Sequence, residues 1–200
     1  MKYRVWHRTT YGYSASVHDS VGLFHLVPRE LPWQRVADHA VSVHPLPGDL
    51  THDRDYFGND VAYFHLTDPH GTLVIEASSE VTVELPVYSP EALAMPWEDA
   101  RPLHGVDAPG AWSALEYALE SARAAQVPAA AEYAAVSFTP GRPISEAVTD
   151  LMQRIFADFT YDSKATTVTS TVADVLEKRA GVCQDFAHLA IACLRSHGLA

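Results

Sequence analysis

The sequence predicts an α+β protein, with an antiparallel β-sandwich or open barrel over residues 1–88 and helices over residues 111–200. Three observations carry this expectation. Apolar and polar residues alternate in several short runs before Leu85, prolines gather at positions 86, 90, 96, 102 and 109, and beyond them apolar residues recur every three or four positions. Alternation marks a strand with one buried face, and a spacing near 3.6 marks an amphipathic helix. Short strands broken by turn residues, followed by a run of helices, suit segregated layers rather than a parallel sheet with crossovers.

The elements follow in order. Tyr3, Val5 and His7 alternate with Arg4, Trp6 and Arg8. Val21 to Val27 is a short apolar run, and Val36 to His44 is a third strand, broken by Pro45, Pro47 and Gly48. Val61 to Leu66 and Thr72 to Ile75 flank Asp68-Pro69-His70-Gly71, whose turn chemistry predicts a hairpin. Glu80 to Leu85 alternates cleanly. Residues 89–110 read as a proline-rich linker. Trp112, Leu115, Leu119 and Ala122 then fit one helix, and Val127 to Val136 another. A third apolar stripe runs through Ile144, Val148, Leu151, Met152, Ile155, Phe156 and Phe159, with Pro143 at its start. Thr171 and Asp174 have capping-box spacing ahead of Val175 and Leu176, and Gly181 is the expected stop. Cys183 to His197 presents Phe186, Leu189, Ala190, Cys193, Leu194 and His197 on one face.

Composition narrows the function. The chain is 48% hydrophobic over 200 residues, enough for a sizeable core. A net charge of -11 and a pI near 5.3, with no basic stripe, argue against nucleic acid and anionic membranes as partners. The N-terminus lacks the apolar core of a secretion signal, and no stretch is apolar enough to span a bilayer, so a cytoplasmic setting is expected. Cys183 and Cys193 would stand ~15 Å apart on one helix, beyond the ~7 Å reach of a disulfide. Pairs such as His39 with His44 and His65 with His70 are five apart, not a helical ligand spacing, and no cofactor or metal is expected.

The chemistry-bearing stretch is Gly181-Val182-Cys183-Gln184-Asp185-Phe186-Ala187-His188-Leu189. It delivers a cysteine to the start of a buried helix, whose first amides lack intrahelical acceptors and carry a partial positive charge. A thiolate is stabilised there, and the same amides can hold an oxyanion when it attacks a carbonyl. Gly181 would let a substrate backbone approach. The residues alone also permit a small cysteine buried in a first turn, and mid-helix Cys193 reads as structural. Asp185 complements the helix end, and His188 reads as a packing histidine.

The run from Phe159 through Tyr161, Thr171 to Ala180 and GVCQDFAHL resembles the core of the bacterial transglutaminase-like family. Residues 3–85 resemble the β-rich domain that precedes it in many members. The resemblance implies a papain-like arrangement with Cys183 as nucleophile, acting on amide or peptide carbonyls of a protein or peptide substrate by hydrolysis or transfer. It implies substrate or oxyanion roles for Gly181, Gln184 and Tyr161; a core position is the other reading of Tyr161. It places the catalytic histidine and aspartate on strands after the cysteine helix, whereas Ala200 comes 17 residues after Cys183. These 200 residues are therefore expected to be the first part of the core, inactive by themselves. A second expectation is a non-catalytic protein- or peptide-binding module using the β region, and self-association into a homo-oligomer is a third.

Overall fold

The computed structural model describes residues 1–102 and 111–200. The chain divides into two compact units, Met1–Val87 and Tyr88–Ala200.

The first unit contains six strands: β1 (Lys2–Val17), β2 (Ser20–Phe24), β3 (Gln34–His44), β4 (Asp49–Arg54), β5 (Asp60–Leu66) and β6 (His70–Val83). They form two antiparallel three-stranded sheets, ordered β1-β6-β3 and β2-β5-β4. Val43, Leu73 and Ile75 of the first sheet and Phe64 and Leu66 of the second share one buried cluster. Two inner faces packed on each other make a sandwich rather than an open barrel.

The expected hairpin across Asp68–Gly71 does not form. β5 and β6 lie in different sheets, so this turn carries the chain from one layer to the other. Turn chemistry is the same in both cases; burial of Leu73 and Ile75 against Phe64 and Leu66 decides for the crossover. Thr72 to Ile75 and Glu80 to Val83 belong to one strand, because β6 is central and pairs with β1 on one side and β3 on the other. β4, exposed along its whole length, had no alternation to read. His70 is buried and hydrogen-bonds Ser20 Oγ at 3.0 Å and the Asp68 carbonyl at 2.7 Å, while His65 lies 2.7 Å from Asp19.

The second unit contains α1 (Pro90–Ala94), α2 (Ala111–Ala118), α3 (Pro128–Ala135), α4 (Ile144–Asp158), α5 (Val172–Lys178) and α6 (Cys183–Ser196). A parallel pair of two-residue strands, β7 (Thr160–Tyr161) and β8 (Ala180–Gly181), lies among them. Part of the expected linker, residues 103–110, lies outside the described residues, while α1 and the buried Trp97 occupy the part before it. The core gathers Leu189, Ala192 and Cys193 of α6, Ala130 and Ala134 of α3, Leu151 and Ile155 of α4, and Val172, Val175 and Leu176 of α5. Helix α4 buries a narrower face than the sequence implied: Ala147, Leu151 and Ile155 are inside, whereas Met152 and Phe156 are 63% and 88% exposed. Among the described residues no helix is long and apolar enough to cross a membrane.

Candidate active site

The connection from α5 to α6 positions the cysteine. Thr171 caps α5: its hydroxyl oxygen accepts from the Asp174 amide at 3.2 Å, and Asp174 Oδ2 accepts from the Thr171 amide at 2.8 Å. The Thr171 amide and the Thr171 hydroxyl, which also donates to Oδ2 at 2.8 Å, hold the Asp174 carboxyl below the usual carboxylate range. The helix ends at Arg179, which is left-handed at φ 52° and ψ 31° and donates its amide to the Val175 carbonyl at 2.9 Å. The stop is thus two residues before the expected Gly181, which is not left-handed. The Arg179 guanidinium lies over the rings of Phe159 at 5.0 Å and Tyr133 at 5.3 Å, a cation–π arrangement that offsets the left-handed backbone. The chain then runs along β8. There the Arg179 carbonyl accepts from the Thr160 amide and the Gly181 carbonyl from the Asp162 amide, both at 2.9 Å.

Cys183 is the first residue of α6, and its thiol is exposed. Val182 stands at the N-cap with extended backbone, φ -116° and ψ 177°. Valine has no side-chain acceptor, so it caps nothing. The first helical bond runs from the Phe186 amide to the Val182 carbonyl at 3.1 Å, and the Cys183 and Gln184 amides have no acceptor among the described residues. Asp185, 4% exposed, turns Oδ2 away from them: it accepts from the Val182 amide at 2.8 Å and from Thr166 Oγ1 at 2.6 Å.

Gly181 is fixed by this packing. A β-carbon there would sit 2.8 Å from Asp185 Oδ2 and 3.0 Å from the Asp185 β-carbon. The structural demand for glycine thus comes from Asp185 and stands without any substrate. Tyr161 pairs with Gly181 across the parallel ladder and is 67% exposed, so it is not a core aromatic. Gly181, Cys183, Gln184 and Tyr161 are brought together by backbone. Thr166 and Arg179 complete the arrangement and were not legible. Thr166 meets Asp185 from 19 positions away, and Arg179 departs from the ordinary habit of placing glycine at a left-handed stop.

The remaining candidates play other parts. Cys193 is fully buried, its thiol 3.5 Å from the Ala130 carbonyl, and burial pushes its pKa up to about 12. His197 closes the far end of α6, packed on Phe138 and Trp97 with ring centroids 5.0 and 5.4 Å away. Burial lowers its pKa, against the bond to the Cys193 carbonyl and with Arg101 beside it. Fourteen positions along a helix are ~21 Å, so His197 does not reach Cys183. His188, five positions on, points ~140° away round the helix. Among the described residues no three His, Cys, Asp or Glu side chains gather as a metal set.

This arrangement has close relatives. Residues 3–82 match the bacterial transglutaminase-like N-terminal region, and residues 131–200 match the transglutaminase-like superfamily. The chain belongs to the transglutaminase-like superfamily. An uncharacterized protein of Mycobacterium tuberculosis is 46% identical over the whole of this chain, and one of Mycobacterium leprae is 28% identical over 98% of it. This transglutaminase-like chain spans 63% of the length of the first and 67% of the second. Its fold is also that of a "Putative Cysteine Protease" from Cytophaga hutchinsonii, solved by crystallography: the TM-score is 0.77 at 20% identity, over 98% of this chain and 63% of that one. The mixed architecture expected from the sequence, β layers first and helices after, is therefore the architecture of this transglutaminase-like fold.

Proposed function

We propose that Cys183 is the nucleophile of a cysteine acyl-transfer enzyme acting on amide or peptide carbonyls of a protein or peptide. One observation carries the reading: an exposed thiol sits on the first residue of α6, beside two backbone amides with no acceptor among the described residues. In this reading the thiolate attacks the carbonyl carbon, and the developing oxyanion takes the Cys183 and Gln184 amides. The amine leaves with a proton, and water or a second amine resolves the thioester. Gly181 and Tyr161 border the substrate. The proton is carried by a histidine other than His188 and His197, held by an aspartate, both contributed elsewhere in the full-length protein. On that assignment the 200 residues alone turn over no substrate, and a reducing, cytoplasmic compartment keeps the thiol free.

Iodoacetamide labelling with peptide mapping tests this. Cys183 should react faster than a free cysteine thiol at neutral pH; a rate no faster at any pH between about 5 and about 9 defeats the reading.

A cleft of about 470 Å³ favours a second reading, peptide binding by the first unit. It opens between the edge strands β1 and β2 and is lined by Tyr11, Tyr13, Leu23, Phe24 and Phe64 among others. Retention of peptides from a random library by the Cys183→Ala chain, lost on Tyr11→Asp, would support it; retention indifferent to Tyr11→Asp counts against it.

A further inference from the structure

We propose that Thr166 and Asp185 form a latch that positions the start of α6 and keeps the Cys183 and Gln184 amides unclaimed. The inference rests on Cys183 being the nucleophile, and it names positioning residues for that site.

Asp185 stands three positions past the N-cap and accepts from the Val182 amide, the same reach-back that Asp174 makes to Thr171 in α5. What α5 lacks is a second donor from outside the helix: at Asp185 the Thr166 hydroxyl donates to the same Oδ2. Gly181 closes on the same carboxylate, with no room for one more carbon. Thr166 is itself held in place. Lys178 Nζ of α5 donates to the Ala165 carbonyl at 3.1 Å, the Lys164 amide donates to Asp162 Oδ1 at 2.8 Å, and the Thr167 amide donates to Ser170 Oγ at 3.0 Å. The hydroxyl therefore reaches Asp185 from a segment braced by α5.

Without that hydroxyl, a buried carboxylate oxygen loses one of two donors. The unclaimed donors of its own turn are the Cys183 and Gln184 amides. A carboxylate turned onto them puts negative charge at the helix end that stabilises the thiolate, and it occupies the donors an oxyanion needs.

The test separates the hydroxyl from the shape of the side chain. Thr166→Val keeps the shape and removes the donor; Thr166→Ser keeps the donor and removes the methyl. Iodoacetamide labelling of Cys183 at neutral pH should slow about 3- to 10-fold in Thr166→Val, the value of one hydrogen bond to a buried group, and stay within about twofold of wild type in Thr166→Ser. Because the displaced charge does the harm, adding Asp185→Asn to Thr166→Val should return the rate to within about twofold of wild type. Should Thr166→Val not fold, Asp185→Asn alone carries the test: it should label at or above the wild-type rate, and slower labelling at an unchanged melting temperature overturns the latch. Equal rates in Thr166→Val and wild type, or equal slowing by Val and Ser, also overturn it. A wild-type Cys183 no faster than a free thiol would instead remove the nucleophile reading and leave the latch without a purpose.

Discussion

Gly181→Ala is the sharpest perturbation of the cysteine-bearing connection. The added carbon would meet Asp185 Oδ2 at 2.8 Å, the Asp185 β-carbon at 3.0 Å and Cγ at 3.2 Å. Rotating the carboxylate relieves the first contact but not the second, since the Asp185 β-carbon is fixed to the α6 backbone. Overpacking of this kind costs about 1–3 kcal/mol. Rotation also gives up the bonds from Val182 and Thr166, about 1 kcal/mol each. Alanine returns about 0.5 kcal/mol by restricting the unfolded chain. The balance is a loss of about 3 kcal/mol. In a unit the size of Tyr88–Ala200 that lowers the melting temperature by about 10–20 °C. Circular dichroism melting would read this, with Gly71→Ala as control, because nothing lies within 4 Å of a β-carbon there. The control should stay within about 0.5 kcal/mol of wild type. If Gly181→Ala melts with the control, Gly181 is not held by Asp185 and the packing argument fails.

Other consequences are as direct. Native protein treated with iodoacetamide should take one label, on Cys183, and denatured protein two, by intact mass, because the Cys193 thiol is buried with its pKa pushed up to about 12. Thr171→Ala should cost about 1 kcal/mol in urea unfolding through the lost cap of α5. It should also change acid sensitivity: Asp174 is held below its usual range first by the Thr171 amide, which alanine keeps, and then by the Thr171 hydroxyl, which it loses. The variant gives up the hydroxyl's share of a contribution that is intact above the ordinary carboxylate pKa and disappears as pH falls through the lowered folded value. Urea midpoints between about pH 5 and about pH 2 should therefore fall less steeply in the variant. Leu189→Ala, in the fully buried middle of α6, should cost about 2–5 kcal/mol, whereas Phe156→Ser, 88% exposed, should stay within about 0.5 kcal/mol in the same assay.

What could be read in the sequence was what neighbours in the chain decide. The capping box of α5, the α6 stripe of Leu189 and Cys193, and the delivery of Cys183 to a helix start are short-range patterns, and all three are present. What escaped depends on partners far along the chain. Asp68–Gly71 has the chemistry of a tight turn whether the next strand pairs with the last one or crosses to the other sheet. Phe156 and Phe159 look alike in an apolar stripe, yet one is 88% and the other 7% exposed, because the buried line of α4 runs through Ala147, a residue too small to mark a face. Gly181 was legible as a required glycine, but the contact that fixes it was not. Its demand comes from a carboxylate four positions ahead, turned back by a threonine 19 positions earlier than that carboxylate.

The N-cap of α6 carries a consequence for stability as well as chemistry. Thr171 at the start of α5 satisfies that helix, and Ser89 does the same for α1 by accepting from the Ala92 amide at 3.1 Å. Val127 before α3 caps nothing either, but Pro128 follows it and has no amide hydrogen to leave unsatisfied. At α6 the first residue is Cys183 and the cap is Val182, so donors that a polar cap would take stay open. That arrangement gives up about 1 kcal/mol of helix stability, in keeping with a site that trades stability for reactivity. Val182→Thr keeps the shape and the extended backbone while adding an oxygen for the Gln184 or Asp185 amide. It should raise the melting temperature of the second unit by about 4–8 °C and slow Cys183 labelling several-fold, because the amide now serves the cap instead of the thiolate. A variant that gains stability and labels as fast as wild type would mean that the helix end does not activate the thiol, and Cys183 would lose the physical basis for its role as nucleophile.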